Sequence, residues 1–331
     1  MLDFGRGVLA GGMLLVLAGG SRLRTAEAGP AGEGRRQEKT LRLLAVGNSF
    51  SHNATEYLPG IVLSQKSRLV LVHAAIGGSS MEKHWSLAEI HEANPEDPEG
   101  MPYEWRLPDG TRKKVGLKEC LKDQAWDIVT IQQHSWTSAD VKTFRPYAQK
   151  LADYVRRHAP GAELWMQETW AYRPDHPMLK KAGMTPGQMY QQLRGAYATI
   201  AAEIKASRII PTGTAFQNAR EDPRWKLEVQ ADFDPRQAKY PEEPRESHAL
   251  CLGWWWNKKA DPPRLEYDGK HCTVAGKYLG AMVWYETLFG DARGDVFVPE
   301  GLPPQEASSL REIAHKTVRE GLRPRGLAPR E

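Results

Sequence analysis

Five short apolar runs, each followed by a segment of helical pattern, restrict what this chain can fold into. Residues 41–46, 69–74, 127–132, 162–167 and 208–212 read as strands, and helices are expected over about 54–65, 80–92, 140–158, 186–206 and 273–289. The runs Leu69-Val70-Leu71-Val72 and Ile128-Val129-Thr130-Ile131 are almost unbroken by polar residues, as strands covered on both faces are. Strand–helix alternation of this kind builds a parallel sheet with helices on both sides, because each crossover returns the chain alongside its own sheet. The expectation is an α/β fold in three layers, α/β/α.

The economical division is a single domain over 41–290, with insertions at about 94–116 and 218–266. The first insertion carries Pro95, Pro98, Pro102 and the turn Pro108-Asp109-Gly110, which predicts a hairpin with 105–107 facing 113–115. The second is long, Pro-rich and charged, and contains Trp254-Trp255-Trp256; a loop of that length inside a compact domain is a candidate rim for a cleft. Residues 1–28 read as an export signal, with Arg6, an apolar run from Val8 to Ala18 and the small-x-small site Ala26-Glu27-Ala28. The run is shorter than the ~20 apolar residues a bilayer span needs. A periplasmic or extracellular protein with no stable membrane insertion after cleavage is expected, an uncleaved anchor being the alternative. Residues 29–40 read as a flexible lead-in, and 291–331 as a helix over 304–320 followed by a mobile tail.

With 40% hydrophobic and 26% charged residues and a net charge of +4, the chain has the balance of an ordinary globular protein. Its basic residues are scattered or sit near the termini, so no nucleic-acid partner is expected. Cys120, Cys251 and Cys272 lack zinc-site or Cys-x-x-Cys spacing; a bridge between two of them and three separate buried thiols are both open. His73, His84, His91, His134 and His248 form no metal-site pattern, and neither a metal nor another cofactor is expected.

The chemistry gathers in two segments at opposite ends of the domain. Gly47-Asn48-Ser49 follows the first strand, and in a doubly wound sheet a turn at that end faces the cleft. Asp268-Gly269-Lys270-His271 precedes the last helix. A hydroxyl, an imidazole and a carboxylate are the groups of serine hydrolysis: Ser49 as nucleophile, His271 as general base and Asp268 orienting His271. Gly, Asn, Ser and Asp-Gly also make ordinary turns and caps, so the reading rests on their combination. After the second strand, Ile76-Gly77-Gly78-Ser79-Ser80 can bring a backbone N–H close to a substrate oxygen. Gly78, or Gly77, is the expected oxyanion donor, and a side-chain amide from Gln133, with Gln132 next in preference, completes the hole.

The order Gly-Asn-Ser-Phe-Ser, Gly-Gly-Ser-Ser, Gln-Gln-His-Ser and Asp-Gly-Lys-His, with Gln167-Glu168-Thr169-Trp170-Ala171-Tyr172 between, resembles the SGNH (GDSL-like) hydrolases, and most closely a bacterial branch with the Gly-Asn-Ser-Phe-Ser opening. The resemblance covers most of 41–290. It implies a flavodoxin-like three-layer fold and hydrolysis of esters, often acetyl groups on carbohydrate. It also implies Ser49 as nucleophile, Gly78 or Gly77 as a backbone donor, and Asp268 with His271 as the late Asp-x-x-His pair. Two positions depart from the pattern. Asn48 stands where better-known relatives have Asp, and Gln132-Gln133 replaces a Gly-x-Asn-Asp block after the third strand.

The function expected is an exported serine esterase acting on a small-molecule or glycan ester. Asn48, Trp170 and Trp255 are the candidate substrate-binding residues; eleven tryptophans supply aromatic faces suited to sugar rings. Two rival readings are a carbohydrate-binding protein on an inactive SGNH fold, and a hydrolase of lipid or thioester.

Overall fold

The structure is a computed structural model and describes residues 14–15, 40–106 and 109–321. The expected export signal, lead-in and extreme C-terminal tail therefore lie outside the described residues, apart from Leu14, Leu15, Thr40 and the end of the last helix. Leu14–Leu15 pairs antiparallel with Val70–Leu71 at the edge of the main sheet.

That sheet has five parallel strands, β1 (Leu41–Gly47), β2 (Leu69–Ala75), β3 (Ile128–Ile131), β4 (Glu163–Gln167) and β5 (Arg208–Ile210), in the spatial order β2-β1-β3-β4-β5. This is the flavodoxin-like order, and the expected three-layer α/β fold is the one present. β1 is buried from Leu43 to Gly47 and β3 throughout, which accounts for their apolar runs.

Ten helices flank the strands among the described residues: α1 (Ser49–Thr55), α2 (Leu58–Ser64), α3 (Met81–Ala93), α4 (Leu117–Lys122), α5 (Tyr147–His158), α6 (Pro177–Ala182), α7 (Pro186–Glu203), α8 (Thr212–Glu221), α9 (Val274–Phe289) and α10 (Pro304–Gly321). α1, α2, α8 and α10 pack around α9, while α3, α4 and α5 pack on one another. The order of the strands requires this split. The crossover from β1 to β2 runs one way across the sheet and those to β3, β4 and β5 run the other, so right-handed connections lie on opposite faces. The reversal between β1 and β3 opens a crevice at their carboxyl ends, where doubly wound proteins bind ligands.

Three elements differ from the sequence reading, two because of proline. The helix expected from about 54 starts at Ser49 and breaks between Thr55 and Leu58; Pro59 lacks an N–H, and its ring would meet the carbonyl of Thr55 in a continuous helix. The helix expected from 140 begins at Tyr147, after a 3-10 turn at Val141–Phe144, because Pro146 opposes Lys142 in the same way. α8 occupies residues read as the end of a strand and the start of an insertion. Its signal was the buried set Ala215, Phe216 and Ala219, spaced for a helix face.

The first insertion forms the hairpin Tyr103–Arg106 with Arg112–Val115, Trp105 lying opposite Lys113. Within the second, Trp254–Asn257 pairs with Arg264–Tyr267. Among the described residues no helix is long and apolar enough to cross a membrane. α9 is apolar on every side and buried from Tyr278 to Thr287, enclosed by its neighbours as such helices are.

Gly280 is where α9 touches α1. A Cβ there would lie 2.9 Å from the Cα of Ala54, and α1 cannot retreat without carrying Ser49 with it. Gly280→Ala should therefore destabilise the fold by about 1–3 kcal/mol, the usual cost of overpacking. Chemical denaturation checks this, and an unchanged midpoint would show that the two helices can separate freely.

Candidate active site

The turn after β1 is built around Asn48, which is buried. Its Oδ1 accepts from the N–H of Phe50 at 3.0 Å, capping α1, and its Nδ2 donates to the carbonyl of Ser79 at 2.9 Å. The N–H of Ile76 donates to the carbonyl of Gly47 at 3.0 Å. The turns after β1 and β2 are thus stitched together, and Ser49 stands half-buried beside the second of them.

The partner for Ser49 arrives from the loop before α9. Oδ1 of Asp268 accepts from the N–H groups of Lys270 and His271 at 2.9 and 2.6 Å, which curls the chain so that the His271 ring returns to its own loop. Gly269 carries the reversal at φ +77; a side chain there would also meet His176, with a Cβ 2.4 Å from its ring. Oδ2 of Asp268 lies 2.7 Å from Nδ1 of His271, and Nε2 of His271 lies 2.9 Å from Oγ of Ser49. Burial alone would raise the Asp268 carboxyl, but the His271 ring and the two amides outweigh it and hold the group below its ordinary value. An ionised carboxylate can only accept, so Nδ1 of His271 carries the proton and Nε2 offers its lone pair to the Ser49 hydroxyl. This is the geometry in which an imidazole can take a proton from a serine.

The turns after β1 and β2 also carry backbone N–H groups. Gly78 occupies the third position of a turn closed by the N–H of Ser79 on the carbonyl of Ile76, with φ +67. Among the described residues, neither its N–H nor that of Ser49, first in α1, donates to a protein acceptor.

The sequence pattern described as Domain of unknown function (DUF4886) matches residues 42–239. This chain belongs to that family. The matched stretch contains Ser49 and ends before Asp268 and His271. A crystal structure of a DUF4886 family protein from Bacteroides uniformis is similar at a TM-score of 0.65 and 24% identity, covering 85% of this chain and 95% of that one; the likeness shows a shared fold. Weaker likeness extends to a candidate SGNH hydrolase from Slackia heliotrinireducens, with a TM-score of 0.44 and 20% identity over 76% of this chain and all of that one. A candidate GDSL-like lipase from Parabacteroides merdae has a TM-score of 0.44 and 14% identity over 75% of this chain and 95% of that one. No curated protein matches the chain.

Several expected site residues of this DUF4886 chain have other work. Gln132 and Gln133 do not furnish an oxyanion donor. Gln132 donates to Oδ1 of Asn48 at 2.7 Å and accepts from the Ser51 hydroxyl at 2.6 Å. Gln133 donates to the carbonyl of Thr143 at 2.8 Å and accepts from the N–H groups of Met81 and His134. Both amides are buried and bonded inside the protein. Asn48, expected to bind substrate, is likewise buried and bonded through both Oδ1 and Nδ2 to the surrounding turns. Trp170 is buried between Phe50 and Phe216, at ring-centroid distances of 4.0 and 4.7 Å, and donates to the carbonyl of Lys270 at 2.8 Å. It positions the Asp268–His271 turn from beneath rather than meeting a ligand. Trp255 is half-buried on the second hairpin opposite Glu266; Trp256, on the other face of the strand, is buried and donates to the carbonyl of Glu242.

The two departures from the SGNH pattern answer each other. Asn48 can donate to Ser79 while accepting from Gln132, which an aspartate could not do. Asn48→Asp removes the donor and sets a carboxylate against the Ser79 carbonyl. A loss of about 1–3 kcal/mol is expected for the stranded buried acceptor, measured by denaturation; no loss would mean that the Asn48–Ser79 bond does not hold the turns together.

Supports with no sequence signal surround the site. Arg173 is buried and forms a two-pronged pair with Glu246 at 2.7 and 2.5 Å, while its backbone N–H donates to the carbonyl of Gly269 at 2.9 Å. Asn53 of α1 accepts from the N–H of Cys272 at 2.6 Å. Cys251 and Cys272 are opposite each other in an isolated antiparallel bridge and are free thiols, as is Cys120. His84 donates from Nε2 to the carbonyl of Gly47 at 2.9 Å and accepts at Nδ1 from the Tyr103 hydroxyl at 2.7 Å.

Burial pushes the His84 pKa from 6.5 to about 4, against the opposite pull of its bond to Gly47. The unfolded chain therefore takes up this proton before the folded one does. The stability tied to neutral His84 is complete above pH 6.5 and falls away towards pH 4, by about 3 kcal/mol in all. Denaturation of wild type and His84→Gln between pH 7.5 and 4 should show the steeper loss in wild type; equal slopes would remove His84 from the account.

Proposed function

We propose that this protein is an exported serine esterase that removes acyl groups, acetyl foremost, from carbohydrate. The observation that carries the reading is the continuous chain from Ser49 Oγ through the His271 ring to the Asp268 carboxylate, beside two backbone N–H groups without protein acceptors.

The Ser49 oxygen attacks the ester carbonyl as its proton passes to Nε2 of His271. The N–H groups of Ser49 and Gly78 hold the resulting oxyanion, a contribution on the order of 2.7–4 kcal/mol per donor in comparable sites. His271 then delivers its proton to the departing sugar oxygen, leaving an acyl-serine. Water enters, loses a proton to the same imidazole and releases the acid, and the Ser49 hydroxyl is restored. Asp268 stays ionised throughout and stabilises the charged ring.

Room for the sugar of a carbohydrate substrate is offered by a cavity of about 280 Å³ lined by Trp136, Asp140, Thr143, Met184, Met189 and Gln192 among others, and by none of Ser49, Asp268 and His271. Trp136 follows β3 at the carboxyl edge of the sheet and is half-buried, and an aromatic face with Asp140, Thr143 and Gln192 in the same lining suits a sugar ring.

Hydrolysis of an aryl acetate and release of acetate from acetylated xylooligosaccharides test both parts. Ser49→Ala should reduce turnover to background, and Asp268→Asn should lower kcat by roughly 10⁴-fold. Equal rates for wild type and Ser49→Ala would remove the catalytic assignment. Aryl acetate turnover with no release from the oligosaccharide would remove the carbohydrate assignment alone.

A further inference from the structure

A second hollow, about 280 Å³ in volume, is lined in part by residues 248–251, and none of Ser49, Asp268 and His271 lines it. Its wall is formed by Gln217 and Arg220 of α8, by Trp225 and Lys226, and by the segment from His248 to Cys251. At that volume it falls near the lower end of small-molecule sites.

Arg220 is the unusual feature. Its Nη2 donates to the carbonyl of Ala171 at 2.7 Å and approaches the sulfur of Cys251 at 3.8 Å, while Nη1 is shut away from solvent without an acceptor. Among the described residues no carboxylate pairs with this guanidinium, and no acidic residue lines the hollow. Arg173 lines the same hollow but is already neutralised by Glu246 and Asp175. A secluded guanidinium with no counter-charge is costly.

One turn earlier on the same face of α8, Gln217 is buried and donates through Nε2 to Glu221 at 2.8 Å. Its Oε1 is an acceptor with no donor. Two side chains three residues apart thus leave a charged donor and a neutral acceptor unmatched beside one hollow. Lys226 is exposed at the rim. Opposite, His248 is held at φ +55 with its ring 5.8 Å from that of Trp225, edge to face, a strained backbone of the kind that gathers at ligand sites.

We propose that this hollow binds a small carboxylate that also carries a hydroxyl group, with the carboxylate on Nη1 of Arg220 and the hydroxyl donating to Oε1 of Gln217. Lys226 adds charge at the entrance. The site is separate from the ester chemistry and does not depend on it.

Isothermal titration of the full-length protein with D-glucuronate, D-glucose and acetate, no ester being present, tests this. Glucuronate combines both groups, glucose lacks the carboxylate and acetate lacks the hydroxyl. Saturable binding of glucuronate is expected, at least tenfold tighter than either control. Arg220→Met should weaken it at least tenfold, with Arg220→Lys recovering part of the loss, and Gln217→Leu should weaken glucuronate while leaving acetate as it was. No saturable glucuronate binding to wild type, or glucose binding as tightly as glucuronate, would overturn the proposal. Unchanged affinity in Arg220→Met would do the same. Should Arg220→Met fail to fold, Lys226→Ala on the exposed rim decides: a several-fold loss supports the site and wild-type affinity overturns it.

Discussion

The hydrogen bond from Ser49 to the His271 ring joins residues 222 apart in the chain, and the rest of the site depends on it. Loop-closure entropy grows only with the logarithm of length, so closing some 200 residues instead of 20 costs about 2 kcal/mol more. Placing a hydroxyl and an imidazole within 3 Å is a harder requirement, because it needs both backbones held rigidly. The protein meets it by pressing α1, which opens on Ser49, against α9, which opens just after His271, with a close approach of backbone at Ala54 and Gly280. Asn53 bonding to Cys272 adds a direct tie between the same segments.

Around this bond, polar groups that look available in sequence are occupied in holding the loops. Asn48, Gln132 and Ser51 form one buried network under the Ser49 turn, and Gln133 forms another between β3 and α3. Trp170 and Arg173, adjacent to β4, hold the Asp268–His271 turn through backbone carbonyls. Buried polar groups of this kind must be bonded almost completely, which leaves backbone N–H groups as the free donors beside Ser49. Buried polar atoms without a partner occur at several places among the described residues, Gln167 and Trp284 included, and on α8 two of them, from Arg220 and Gln217, lie beside a hollow, which makes that hollow a site to test.

Much of the fold was legible because its signals are local. β1 to β4 have apolar runs set by burial on both faces, while the edge strand β5 is buried only at Ile210, and α3, α7 and α9 follow their expected ranges closely. Prolines 59 and 146 divided two helices at positions a stricter reading of the i−4 clash would have found. α8 was missed because its helical face lies between a strand and a Pro-rich insertion, where period and turn signals compete.

The sequence by itself determined the layers of the fold and the residue types gathered at its carboxyl edge, because burial on two faces and crossover handedness leave few alternatives. It also determined that a serine, a histidine and a carboxylate lie in turns that such a fold brings to one edge. Only the tertiary structure decided which amides are spent and which are free, that Trp170 supports the site from below, and that Arg220 lacks a counter-charge. Those are properties of pairs of atoms from distant segments, and a hydrogen bond is decided by the partner that three-dimensional packing supplies.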